Sequence, residues 1–389
     1  MTEITIQPDL NYKTISLATF RTLLAHYEET VHRVTRKKTI AKQMGKKAKS
    51  KARAAKKRKA LQGEDEDGAE EEADGQAKEI SPELRAQADA ADREFWKLDT
   101  WRYETLPGTL GERLVGAKEG EKSGKGKGAS LSKNEVTKLM EWKLKHGIYR
   151  PTLLGMLKSN PERTIQSATT AAFSSLPPPD NPTDPTDPSA STDYTKEALD
   201  DLFALLLTSL NALSTPLRGI GPATASLLLS VASPSSIPFY SDDAYLWIVV
   251  RTYPVWDSAE GVDEWVRGEV HEKKRKMVRP NGELIVKYNV AEYRALWGHV
   301  RWLRGRLNGE RRALESEGKG GGEEITCADV EKVAFVVRHV GESGLKGDVV
   351  DRVAEDSEEE EHGEEGNDGE EQEDSEEDED TDRKRRKAH

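Results

Sequence analysis

Apolar residues in this chain recur mostly in steps of three and four, and no segment alternates as a strand would. Leu199, Leu202, Phe203, Leu206, Leu210 and Leu213 form one such stripe, which predicts an amphipathic helix that Pro216 must end. Ile15, Leu17, Phe20, Leu23, Leu24 and Tyr27 predict another near the start. Ser81-Pro82-Glu83 and Ser132 with Glu135 read as helix starts. Phe95, Trp96, Trp101, Tyr103 and Leu106 read as core, as do Val136, Leu139, Met140, Trp142 and Leu144. Later helices are expected after Arg150-Pro151, after Asn160-Pro161, from Ser241 to Val250, along Tyr288 to Leu307, and from Ala328 to Val340. The fold class is therefore all-α, in an ordered domain over residues 81–345.

Composition sets the limits of that domain. Apolar residues are 35% of the chain and charged residues 33%, so part of it is expected to bury no core. The charges are segregated: Arg36 to Lys59 holds 13 Lys or Arg and no acid, whereas Glu355 to Asp380 holds 18 Asp or Glu and no base. Setting those 18 acids aside turns the net charge of −12 into +6. Residues 1–80 are read as a helix, a basic run and an acidic linker, and 346–389 as an acidic tail that ends in a basic run. Disordered inserts are expected near 116–129 and 177–192, which are rich in Gly/Lys and Pro/Asp/Ser/Thr respectively. The single cysteine, Cys327, excludes internal disulfides and a cysteine-built zinc or iron–sulfur cluster, so no cofactor or metal is expected. No apolar run approaches twenty residues and no signal peptide is legible, which predicts a soluble intracellular chain without a membrane role. Lys56-Lys-Arg-Lys59 and Arg383-Lys-Arg-Arg-Lys387 read as nuclear addresses.

The most telling string is Leu217-Arg-Gly-Ile-Gly-Pro-Ala-Thr-Ala225. Gly219 and Gly221 flank Ile220 and permit a sharp turn, and Pro222 opens a helix whose Ala223, Thr224 and Ala225 allow close packing. Amides left free at a helix N-terminus make a seat for phosphate. The string resembles the helix-hairpin-helix motif, whose hairpin amides grip a nucleic-acid backbone; an ordinary interhelical turn is the plain alternative. Asp243 follows Gly219 by 24 residues, and Pro238-Phe-Tyr-Ser-Asp-Asp-Ala-Tyr245 looks like the Pro-Asp-Asp stretch of the 3-methyladenine glycosylase II group of helix-hairpin-helix DNA glycosylases. The resemblance covers residues 195–250. It implies a glycosylase-like helical domain, with Asp243 as the principal carboxylate and Asp242 beside it.

The residues agree with that chemistry. Cleaving an N-glycosidic bond builds positive charge on the sugar, which a carboxylate stabilises, and an Asp in the first turn of a helix is expected to stay ionised. Tyr240, Tyr245 and Trp247, with Phe239, are candidates to line a pocket for a flipped base. The chain departs from bifunctional members in having no Lys between Arg218 and Arg251, so strand cutting through a Schiff base is not expected. Ser241-Asp242-Asp243 also reads simply as a cap with two acids that complement the dipole. Lys273, Lys274, Arg275 and Lys276 form a candidate DNA contact, as do Arg301, Arg304 and Arg306 unless they are a solvated helix face. Two functions therefore stand: a nuclear DNA-binding protein with a helix-hairpin-helix core, whose enzymatic version is a monofunctional base-excision glycosylase, and a non-catalytic chromatin-associated scaffold or interaction protein. DNA is the expected partner, with chromatin proteins or histones as partners of the acidic tail.

Overall fold

The computed structural model describes residues 9–61, 80–122, 128–147, 151–178, 196–251 and 286–345. The linker at 62–79, most of the 177–192 insert, Lys273 to Lys276, the acidic tail and Arg383 to Lys387 lie outside the described residues. Within them every regular element is helical and no strand occurs. The order is α1 (Leu17–Ala25), α2 (Tyr27–Leu61), α3 (Pro82–Thr100), a π-helical turn (Trp101–Thr105) that runs into α4 (Leu106–Lys122), α5 (Lys133–His146), α6 (Pro151–Lys158), α7 (Glu162–Ser174), α8 (Lys196–Ser214) and α9 (Pro222–Ala232). There follow α10 (Asp242–Ala244), which continues as a π-helix over Tyr245–Val250, then α11 (Val290–Ser316) and α12 (Cys327–Arg338).

Local signals start these helices where the sequence places them. The Oγ of Ser132 accepts from the Glu135 amide, and the Glu135 carboxylate accepts from the Ser132 amide, closing the expected capping box. Asn289 with Glu292 and Thr326 with Asp329 form two more boxes.

Helix α9 is the centre of the fold. Every residue from Ala223 to Val231 is buried, serines and threonine included, and α4, α5, α7, α8 and α11 pack around it. Small residues on all sides let five helices approach one axis, and the hydroxyls of Ser226 and Ser230 stay satisfied by bonding carbonyls a turn back.

Two expected boundaries are corrected. Residues 10–34 belong to the same core: Leu10, Tyr12, Ile15, Phe20 and Val31 are buried in it, and the Arg306 guanidinium donates to the Ile15 carbonyl at 2.5 Å. Apolar burial, rather than the charged linker, sets where the packed unit begins. The Gly/Lys-rich stretch expected as an insert at 116–129 is helical through Lys122, since α4 carries its regular hydrogen bonding past Gly116 and Gly120.

Beneath the core lies a polar cluster. Arg102, aimed inward from the π-turn, pairs with Glu331 of α12 at 2.7 Å and bonds Ser230 at 3.2 Å. Asp99 accepts from Tyr27 at 3.1 Å and from the Trp142 indole at 2.7 Å. Four helices and the central α9 are thereby tied to one buried knot.

Candidate functional site

The turn between α8 and α9 is built as the sequence suggests. Gly219 adopts φ +79°, a left-handed conformation that suits glycine. A Cβ there would also lie 3.0 Å from that of Met156, so the hairpin rests directly on α6. Asn160 holds it in place: its side chain accepts from the Arg218 amide and donates to the Arg218 carbonyl, both at 2.9 Å. Gly221 has ordinary extended angles, and nothing lies within 4 Å of where its Cβ would be. The α9 N-terminus has no side-chain cap; Pro222 carries no amide and the Thr224 amide donates to the Gly221 carbonyl at 2.9 Å, which leaves the Ala223 amide of the first turn for a ligand.

The segment Pro238 to Ser241 is pinned from two sides. The Tyr240 amide donates to Ser226 Oγ of α9 at 3.0 Å, and Tyr293 of α11 donates to the Pro238 carbonyl at 2.9 Å. Ser241 then caps α10 by accepting from the Ala244 amide. This places Asp242 and Asp243 in a first helical turn that faces the hairpin.

A pocket of about 540 Å³ lies between them. Gly219, Gly221, Ala223 and Thr224 line one side, and Asp242 and Asp243 line the other. Phe239, Tyr240 and Tyr288 supply aromatic wall, and Lys38, Lys143, Lys287 and Arg338 bring positive charge to it. The Tyr288 hydroxyl donates to Asp242 at 2.8 Å, and Tyr288 holds the unfavourable φ +53° while doing so. Lys143 reaches Thr224 Oγ1 at 3.4 Å and stands 5.1 Å over the Phe239 ring, so a cation flanks the hairpin amides.

The charges inside differ from the sequence expectation. Burial and the neighbouring Asp242 raise the Asp243 carboxyl to about 7, against the opposing pull of Lys38 and Arg338. The helix dipole does not keep it fully ionised at neutral pH. His146 and His339 are driven down by burial and by the cations around them, His339 to about 3, so both imidazoles are neutral. His146 stacks on Trp142 at 4.7 Å between centroids, and its Nε2 has no hydrogen-bond partner among the described residues.

Other residues land elsewhere. Trp247 is 1% exposed and donates to the Leu10 carbonyl at 2.8 Å, so it is core and not pocket wall. Tyr245 is buried behind Tyr240, 5.3 Å between ring centroids, and does not line the pocket. Ile220 is buried too and anchors the hairpin from inside. Arg301 and Arg304 are buried, Arg304 donating to the Ile325 carbonyl, and Arg306 ties down the N-terminal segment, so this trio is neither a phosphate clamp nor a wet face. Lysines absent from 218–251 arrive from far away in sequence, Lys38 from α2 and Lys143 from α5. Their register on their own helices carries no mark of this, and the same holds for His146, Tyr288, Arg338 and His339.

No family model matches the chain, and neither a curated protein nor a solved structure is found that does.

Proposed function

We propose that this chain binds duplex DNA through the α8–α9 hairpin and excises an altered base at the Asp243 pocket, as a monofunctional glycosylase of helix-hairpin-helix type. One observation carries the reading: a glycine hairpin with an uncapped helix start and an acidic pair 24 residues later meet across one aromatic and cationic pocket. The amides and Lys143 suit a phosphate, while Phe239, Tyr240 and Tyr288 suit the faces of an extruded base. In its ionised form Asp243 would stabilise the positive charge that grows on the sugar as the bond to the base breaks, and water would complete the exchange.

Of the three lysines at the pocket, two are engaged as hydrogen-bond donors, Lys38 to the His146 carbonyl at 2.8 Å and Lys143 to Thr224 Oγ1 at 3.4 Å, which favours excision without strand cutting. The product is then an abasic site that is cut only when alkali is added.

A second reading, a DNA-binding module without catalysis, draws on the same cluster: Asp243 between Lys38 and Arg338 also makes sense as an internal charge balance. Duplexes carrying alkylated, oxidised or deaminated bases separate the two. Base release by wild type and its loss in Asp243→Asn, with binding retained, supports the enzyme. Binding without release from any substrate leaves the module. Borohydride should trap no covalent complex with an abasic duplex, and a trapped band would overturn the monofunctional assignment.

A further inference from the structure

The packed part of α2 ends early. Val34 is its last buried apolar residue among the described ones, and Arg36 still pairs with Asp89 and Asp92 of α3. Beyond Lys38 the helix continues to Leu61 without an acidic residue of its own. Lys42 and Lys46 are exposed and form no ion pair with a described acid. Lys42, Lys46 and Arg53 are spaced by four and seven residues, so the helix register stacks like charges on one side. Such a stripe destabilises its own helix by a few tenths of a kcal/mol per pair unless a polyanion lies along it.

The last described residues lie beside this helix. After α12, Glu342 accepts from Lys37 at 2.7 Å, and the Ser343 carbonyl lies 3.0 Å from His26 Nδ1. A Cβ on Gly344 would lie 2.7 Å from the Glu29 carboxylate, so the backbone touches the first turns of α2. Residue 345 is therefore next to the start of the basic stretch. Ten residues further on begins the block Glu355 to Asp380, with its 18 acids and no base. Ten residues reach at most about 35 Å, and the 24 residues from Arg36 to Lys59 span about 36 Å of helix, so the block can lie along the whole basic stretch.

We infer that the acidic segment 355–380 docks on the basic extension of α2 in the same chain and occupies it against other polyanions. Tethering so close to the helix gives an effective concentration in the millimolar range, which favours the chain's own tail over free competitors of similar charge. The contact is ionic and weakens as salt shortens the screening length. It does not depend on the glycosylase reading, because it uses neither the hairpin nor the Asp pair.

Zero-length carbodiimide coupling of the full-length protein, followed by peptide mass spectrometry, tests the contact directly. Expected are Lys42–Lys59 to Glu355–Asp380 links that persist on dilution and disappear at about 1 M salt, where the screening length is about 3 Å. Links found only between isotopically light and heavy copies would place a second molecule there and overturn the inference; so would links scattered over other lysines. A full-length variant with every acid from 355 to 380 changed to Gln or Asn provides the second arm, with heparin as the probe. It should bind heparin about ten-fold more tightly than wild type near 50 mM salt, and the two should converge near 0.5 M, where ionic attraction is screened. Equal affinities at low salt would overturn the inference even if the tail cross-links.

Discussion

At Gly219 the backbone turns through φ +79° against α6, whereas at Gly221 it runs extended over open space. An alanine at 219 would meet both the left-handed penalty of about 1–2 kcal/mol and the Met156 side chain. No such cost attaches to Gly221, whose missing side chain matters only to something that approaches from the pocket. Gly221→Val exchanges a favoured N-cap residue for a poor one and should cost about 1 kcal/mol, too little to unfold the chain, yet lose most duplex affinity. Binding unchanged in that variant would remove the hairpin from the interface. The pocket's titrating groups give a second test. From about pH 4 to 7 the folded chain keeps a proton on Asp243 that the unfolded chain has released, so this residue makes stability fall as pH rises. His339 acts in the opposite sense: from pH 6.5 down towards about 3 the unfolded chain takes up a proton that the folded one refuses. Chemical denaturation across pH 4.5–6.5 should show the slope of stability against pH growing more positive by up to about 1.4 kcal/mol per unit in Asp243→Asn, and falling by as much in His339→Gln. If the ionised Asp243 performs excision, the rate should also climb as pH passes through about 7.

Among the elements, the cluster under α9 decides rigidity. Arg102 and Glu331 are both buried, and the Glu331 carboxyl is pushed up by burial against the pull of Arg102. Removing one partner leaves a lone buried charge, so Glu331→Gln should cost about 3–5 kcal/mol. A loss below 1 kcal/mol on denaturation would mean that the pair is solvated. This cluster also marks the limit of what the sequence discloses. Helix starts at Ser81, Ser132 and Ser241 were legible because a cap is a local bargain between a side chain and amides three residues away. So was the hairpin, whose glycines and proline act over a few bonds. Trp247 defeated the reading, since an aromatic beside an acidic pair looks like pocket lining until its indole is seen to bond the Leu10 carbonyl. Lys38, Lys143, His146 and Tyr288 were invisible for the converse reason. They reach the pocket only through the packing of α2, α5 and the segment before α11, and no spacing within their own helices records it.

On the scale of the whole molecule, the apolar and charged parts of the chain divide the labour between packing and address. Described core residues run from Leu10 to Val340, whereas the basic stretch of α2 holds few apolar residues and the acidic block at 355–380 holds none. Segments that bury little apolar surface contribute little to folding free energy. Deleting 346–389 should thus leave stability within about 1 kcal/mol near 0.5 M salt, where the ionic contact of a docked tail is screened. Location should change instead. The two proposed nuclear addresses, Lys56 to Lys59 and Arg383 to Lys387, lie in these charged parts, one within the α2 extension and one just beyond the acidic block. With the acidic block laid along α2, the first address is covered and the second is left to act. Changing Arg383 to Lys387 to Gln should then reduce nuclear accumulation of a fluorescent fusion, and neutralising the acids of 355–380 in the same chain should restore it by freeing Lys56 to Lys59. A fusion that stays nuclear after the first change alone would show that the α2 address was never masked, and one excluded from the nucleus even as wild type would remove both addresses from the account.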